Sequence, residues 1–222
     1  MALRVFVTRH PVFFTALLAL AVHLGMAVPK AASAQPLKIL ALGDSLTSGY
    51  GLPPGEGFTD QLGQALKDAG VSARVINGGV AGDTSTDGLA RLDWSLADDP
   101  AVVIIELGGN DALRGLDPKA TRANLDAILS KLQAQHRAIL LTGMLAPPNL
   151  GDEYAASFNP IFPALAKQHG VVFYPFFLDG VAGNPSLVQS DGIHPTAQGV
   201  AIIVQRILPA LRQAIDGAHG TD

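Results

Sequence analysis

Cysteine is absent from the 222 residues. That excludes disulfides, thiolate metal sites, a cysteine nucleophile and a lipidated N-terminal cysteine. Charge is scarce as well: Asp, Glu, Lys and Arg make up 15% of the chain, and their balance is −4 with histidine neutral. With a pI near 5.8 the chain has no electrostatic footprint for nucleic acid, and none is expected as a partner. Aromatic residues amount to 6%, with a single tryptophan. Internal repeats and low-complexity linkers are missing too, which argues against solenoids and strings of domains. What the chain has in quantity is apolar: hydrophobic residues reach 48%. Wholesale disorder is thereby excluded, and the length suffices for one domain with a sizeable core.

The mean hydropathy of +0.30 is high for a soluble protein, and the N-terminus explains part of it. Arg4, Arg9 and His10 precede an apolar run from Pro11 to Val28, followed by Lys30 and Ala32-Ser33-Ala34. A basic head, an apolar stretch and a small-x-small triplet are the marks of a secretory signal. An uncleaved membrane anchor is the rival, but Pro11, His23 and Gly25 weaken it and the run is at the short end for a span. Residues 1–34 are therefore expected to be a signal peptide cut between Ala34 and Gln35. The remainder, 35–222, would be a single domain, periplasmic or secreted, with no stable membrane insertion. Losing Arg4, Arg9 and Lys30 would take the net charge from −4 to −7, which disfavours an electrostatic hold on anionic lipid.

Beyond residue 35 apolar runs alternate with helical stripes. Lys38–Leu42, Ala73–Ile76, Ala101–Leu107, Ala138–Met144 and Val171–Tyr174 read as strands. Phe58–Ala69 carries one apolar helical face and stops at Gly70. Asp117-Pro118 reads as N-cap and first helical residue of a helix to about Gln135. Tyr154–Gln168 is helical with interruptions at Pro160 and Pro163, and Val200 to Ile215 forms a last stripe with a bend at Pro209. Strands that are apolar throughout are covered on both faces, and strands alternating with helices imply parallel crossovers. The expected fold is therefore α/β: a three-layer α/β/α sandwich around a central, about five-stranded parallel sheet. In such sheets the working site lies beyond the carboxyl ends of the strands.

The loops at those ends carry the chemistry. After the first strand stands Gly43-Asp44-Ser45-Leu46, a serine on a tight strand-to-helix turn; a plain capped turn is the bland reading. After the second comes Asn77-Gly78-Gly79-Val80-Ala81-Gly82-Asp83-Thr84, a loop whose glycines let backbone N–H groups approach a ligand. No Walker or dinucleotide spacing occurs, so no nucleotide cofactor is indicated. After the third comes Gly108-Gly109-Asn110-Asp111, where Asn110 can aim an amide donor. Near the C-terminus Asp191 precedes His194 by three residues on a glycine-containing turn, so the carboxylate can reach one ring nitrogen while the other points outward. A metal reading of Asp191 and His194 lacks further ligands nearby. His136, His169 and His219 read as helix-end or tail residues. Taken together the four loops supply a nucleophile, a base, a base-orienter and oxyanion donors, the inventory of acyl transfer.

These blocks also carry a resemblance. The chain is similar to the SGNH (GDSL) hydrolases, and within them to bacterial periplasmic arylesterases and multifunctional thioesterase–lysophospholipases. Gly43-Asp44-Ser45-Leu46, Gly82-Asp83-Thr84, Glu106-Leu107-Gly108-Gly109-Asn110-Asp111 and Asp191-Gly192-Ile193-His194-Pro195 match the family blocks in order. Likeness extends into Gly88–Leu92, Leu113-Arg114-Gly115 and Pro175-Phe176-Phe177. Departures lie at Thr47-Ser48 and Ala112, beside the site, and in the 145–153 and 180–190 loops, which bear on substrate range.

The resemblance implies a flavodoxin-like SGNH fold and a serine esterase. Ser45 would be the nucleophile, His194 the base and Asp191 its orienter. The oxyanion hole would comprise the Ser45 and Gly82 N–H groups and the Asn110 side chain. Neither metal nor organic cofactor is expected, and the protein is expected to act as a monomer. Leu113 and Pro147 are candidates for an apolar wall around a small ester, acyl thioester or lysophospholipid. Two alternatives stand beside this reading: a carbohydrate O-acetylesterase, for which the lone Trp94 is poorly placed, and a non-catalytic exported binding protein of the same fold.

Overall fold

A computed structural model describes residues 1–3 and 35–219. The expected signal peptide, 1–34, lies almost wholly outside the described residues. Five strands run in chain order: β1 (Leu37–Gly43), β2 (Ala73–Gly79), β3 (Val102–Glu106), β4 (Ala138–Thr142) and β5 (Val172–Tyr174). Between and after them come α1 (Ser45–Ser48), α2 (Phe58–Asp68), α3 (Ser85–Ala90), α4 (Leu92–Ser95), α5 (Gly109–Leu113), α6 (Pro118–Ala134), a 3₁₀ turn at Pro148–Leu150, α7 (Gly151–Phe158), α8 (Ile161–His169) and α9 (Ala197–His219).

The sheet order is β2-β1-β3-β4-β5, with every pair parallel. The central strands β1, β3 and β4 are largely apolar and buried, and all five residues of β3 are buried. Helices cover both faces, as such strands require: α2 packs with α9, while α6 packs with α3 and with α8. Val200, Ile203, Val204, Ile207, Leu211 and Ile215 of α9 are buried as the stripe predicts. The order reverses between β1 and β3, the switch point where flavodoxin-like sheets open a crevice. Ser45 follows one of those strands and Asn110 the other.

Several expected boundaries shift for physical reasons. The helix from Tyr154 is two helices divided near Pro160. Pro163, however, lies in the first turn of α8 and interrupts nothing, because first-turn N–H groups have no intrahelical acceptor. Helix α9 continues through Pro209. Strand β2 is longer than expected and absorbs Asn77-Gly78-Gly79, the first part of the expected glycine loop. Gly79 pairs with Gly43, which pairs in turn with Glu106, so the ends of β2, β1 and β3 form one row. The Ser45 turn descends onto that row. A Cβ on Gly79 would lie 2.3 Å from the Ser48 nitrogen and 2.8 Å from the Asp44 carbonyl oxygen, both backbone atoms.

Gly79→Ala should therefore force β2 and the Ser45 turn apart and destabilise the protein by about 1–3 kcal/mol. Gly63→Ala is the matched control: in α2 its added methyl meets nothing nearer than a Val75 methyl at 3.9 Å. That substitution should instead stabilise by about 0.5–1 kcal/mol. Thermal and urea unfolding of the two variants checks both signs.

Candidate active site

Asp44 caps α1, its Oδ1 accepting the Leu46 N–H at 3.0 Å. Ser45 is thereby left as the first residue of the helix, at the mouth of the crevice. The chain returns to it 149 residues later: His194 Nε2 lies 2.8 Å from Ser45 Oγ. On the other side of the ring, His194 Nδ1 lies 2.7 Å from Asp191 Oδ2. The Asp191 loop is held by its own carboxylate, whose Oδ1 accepts the N–H groups of Ile193 at 2.9 Å and His194 at 3.0 Å. Those contacts, the Ile193 N–H foremost and then the imidazole, hold Asp191 down at about 2. Both ring nitrogens of His194 are thus taken up by Ser45 and Asp191. Among the described residues no cluster of three or more His, Asp or Glu could hold a metal.

Gly82 lies across the crevice from this line with φ of +90°, a conformation that favours glycine. Its loop is pinned from three sides. Arg114 donates to the Gly82 carbonyl at 2.6 Å, and Asn110 Nδ2 donates to the Asp83 carbonyl at 2.9 Å. Arg91 pairs with the Asp83 carboxylate at 2.5 Å and donates to the Gly43 carbonyl at 2.8 Å. The N–H groups of Ser45 and Gly82 find no acceptor among the turn and loop hydrogen bonds of the described residues. Asn110 is different. Besides Asp83 it also donates to Asp44 Oδ2 at 2.9 Å, so both its amide hydrogens have partners, and an anion between Ser45 and Gly82 would have to share one. Asp111 braces the Asn110 turn from below, accepting from the Ser85 N–H and from the Ser85 and Thr121 hydroxyls.

A cavity of about 510 Å³ opens over Ser45. Gly82, Asn110, Leu113, Pro147 and His194 all line it; Asp191 stands behind the histidine. Its remaining walls are largely apolar, with Met144, Leu145, Phe176, Leu178 and Ile193 among them. Trp94 is 77% exposed on α4 and is not part of the lining. His169 binds Asp126 and Gln133 elsewhere.

Two side chains to which the sequence assigns no role stand at the site. The Tyr50 ring lies over His194, centroids 4.6 Å apart and tilted by 38°. Glu106, wholly buried, accepts from the Thr47 hydroxyl at 2.7 Å and the Asp44 N–H at 3.2 Å. Glu106 was legible as the lone acid in the apolar run Ala101–Leu107; nothing local marks Tyr50.

Known proteins resemble the chain over most of its length. The model of the GDSL-like lipase/acylhydrolase family matches residues 41–202. Esterase TesA of Pseudomonas aeruginosa is 41% identical over 182 residues, covering 82% of this chain and 90% of its own. Thioesterase 1/protease 1/lysophospholipase L1 of Escherichia coli is 36% identical, covering 84% of this chain and 88% of its own. The crystal structure of AlinE4, described as an SGNH-hydrolase family esterase, superposes with a TM-score of 0.70 at 46% identity, covering 83% of this chain and 99% of that one. A serine, an imidazole and a carboxylate joined end to end at the switch point, with a family model and relatives covering most of the chain, lead to one conclusion: the chain belongs to the GDSL-like lipase/acylhydrolase family.

Proposed function

We propose that this carboxylic ester hydrolase works through an acyl-enzyme on Ser45. The observation that carries the reading is the unbroken line from Asp191 through His194 to Ser45 at the mouth of an apolar cavity. As Ser45 Oγ bonds to the acyl carbon, its proton passes to His194 Nε2. Asp191 holds the ring in the required tautomer and stabilises the imidazolium that forms. The same proton then goes to the departing alcohol or thiol as its bond to the acyl carbon breaks. Water, deprotonated by His194, then bonds to the acyl carbon; the bond to Ser45 Oγ breaks, the proton returns from His194 to Oγ, and the acid leaves. Asp191, held near 2, is ionised at neutral pH. The oxyanion is received by the N–H groups of Ser45 and Gly82 and by a shared hydrogen of Asn110. Every step uses this chain's own groups and water.

The substrate follows from the cavity. About 510 Å³ walled by Leu113, Met144, Leu145 and Pro147 suits a small alkyl or aryl acyl ester. Acyl thioesters and lysophospholipids are further substrates of the same chemistry, in line with the name of the Escherichia coli relative. Action as a monomer is part of the same reading. Export follows from the N-terminal pattern, with the working domain at 35–222. Among the described residues no helix is long and apolar enough to cross a membrane.

Three outcomes are expected. A fluorophosphonate should label wild-type protein at Ser45 alone, and Ser45→Ala should abolish ester hydrolysis with its melting temperature preserved; peptide mapping that finds the label on another serine contradicts the assignment. Asn110→Ala should lower kcat by ~10²–10³-fold with KM little changed, the typical effect of one lost oxyanion donor. A variant that melts early but keeps its kcat removes Asn110 from the hole. Mass spectrometry of the exported protein should place its N-terminus at Gln35; a full-length chain in the membrane fraction would show an anchor instead.

A further inference from the structure

Beneath the Ser45 turn lie two carboxyl groups that the acyl-transfer steps do not use. Glu106 ends β3 with none of its surface exposed, and Asp44 is 2% exposed. Glu106 Oε2 takes the Thr47 hydroxyl and the Asp44 N–H, while its Oε1, equally buried, has no partner. Asp44 is fully engaged: Oδ1 on the Leu46 N–H, Oδ2 on Asn110 Nδ2. Each carboxyl group acts on the other, and among the described residues neither forms an ion pair with a cation. Arg91, on the neighbouring Gly43 carbonyl, directs its other donors to Asp83 and Ser95. The titratable groups that act on the pair are its own two members and His194, which faces Asp44 from the C-terminal loop. Two bare carboxylates in such a place repel each other without solvent to separate them, so one proton must stay.

We propose that Glu106 and Asp44 form a pair holding one proton and one charge, and that this pair is a positioning device: Glu106 keeps the proton, and the Asp44 anion aims the Asn110 amide at the oxyanion. Burial foremost, and then the Asp44 charge, pushes Glu106 well above the usual carboxylate range, and burial raises Asp44 as well. Both Asp44 oxygens already accept N–H donors while Glu106 Oε1 accepts none, so the proton resides on Glu106. The assignment accounts for the unpartnered Oε1, which becomes the site of a proton rather than an unsolvated anionic oxygen. It also explains why an amide with two acceptors stays at the crevice: Asp44 holds it in place, and Thr47 and the Asp44 N–H hold Glu106 in turn.

The inference rests on the acyl-enzyme reading, and its test separates the two. Glu106→Gln keeps an uncharged group whose oxygen can accept from the Thr47 hydroxyl and the Asp44 N–H. Glu106→Leu keeps the volume and removes the link. Each is purified and compared with wild type in kcat, KM and melting temperature from pH 5 to pH 8. The glutamine variant should keep kcat within about threefold, because the hydrogen bonds from Thr47 and the Asp44 N–H survive. The leucine variant should lose kcat by about tenfold or more, with KM little changed.

The stability arm has a definite sign. A group whose pKa is raised by folding binds more protons in the native than in the unfolded chain, so its effect on stability worsens as pH rises above the ordinary value. Glutamine is free of that cost. Glu106→Gln should therefore melt above wild type at pH 8, with the gap narrowing toward pH 5. A glutamine variant as slow as the leucine one, or one that melts below wild type at pH 8, overturns the proposal by showing that Glu106 works as an anion. A leucine variant that melts early yet keeps its kcat per folded molecule shows a role in folding alone, and overturns it equally. Fluorophosphonate failing to label Ser45 in wild type would instead fail the acyl-enzyme reading, and it leaves the melting comparison intact as a test of the pair.

Discussion

Gly43 stands between Gly79 of β2 and Glu106 of β3, and a methyl group on it would lie 2.1 Å from the Thr47 hydroxyl and 2.5 Å from the Glu106 carboxylate. That lack of room is the constraint on which the site depends. Because nothing projects from the ends of β1 and β2, the Ser45 turn can settle onto the sheet edge. Asp44 then reaches Asn110, the Gly43 carbonyl reaches Arg91, and Arg91 fixes the Asp83 loop that carries Gly82. The parts that would receive an oxyanion are thus referred to one short stretch of packed backbone. Such a site keeps its geometry because close-packed backbone has no alternative arrangement at small cost.

Two aspartates of this site are treated in opposite ways by their surroundings. Asp191, near the surface, is surrounded by N–H donors and the imidazole and is held down at about 2. Asp44, deep under the turn, loses water and rises to about 6 despite its own donors. The first is thereby suited to sit against a cationic imidazole, the second to share a buried space with another acid. Identical side chains acquire different work through solvation and hydrogen bonding alone.

Much of this was readable in the chain, and the parts that were not have a common cause. Continuous apolar runs marked the strands, and Asp117-Pro118 marked the start of α6, because both signals are local. The four blocks were legible because each carries its chemistry within a few residues. Gly78 and Gly79 read as loop residues. They are strand residues only because Leu42 and Gly43 pair with them, a partnership invisible in a short window. Pro163 read as a breaker because its position relative to the helix start depends on where Pro160 divides the segment. Glu106 was visible as an acid in an apolar strand, but its meaning lies in Asp44 and Thr47, about sixty residues away. The ring of Tyr50 over His194 is likewise a product of the fold. Long-range pairing decided each of these cases.

The central claim is that one acyl-enzyme on Ser45 is common to all substrates, and partitioning tests it most directly. Two esters sharing an acyl group but differing in leaving group, such as p-nitrophenyl and phenyl acetate, are hydrolysed in the presence of methanol. The ratio of methyl ester to free acid formed from each is then measured. A common acyl-enzyme has forgotten its leaving group, so the account predicts the same ratio from both, with a burst of one p-nitrophenol per chain where deacylation is slow. Ratios that change with the leaving group would contradict it, since water would then be attacking the intact ester.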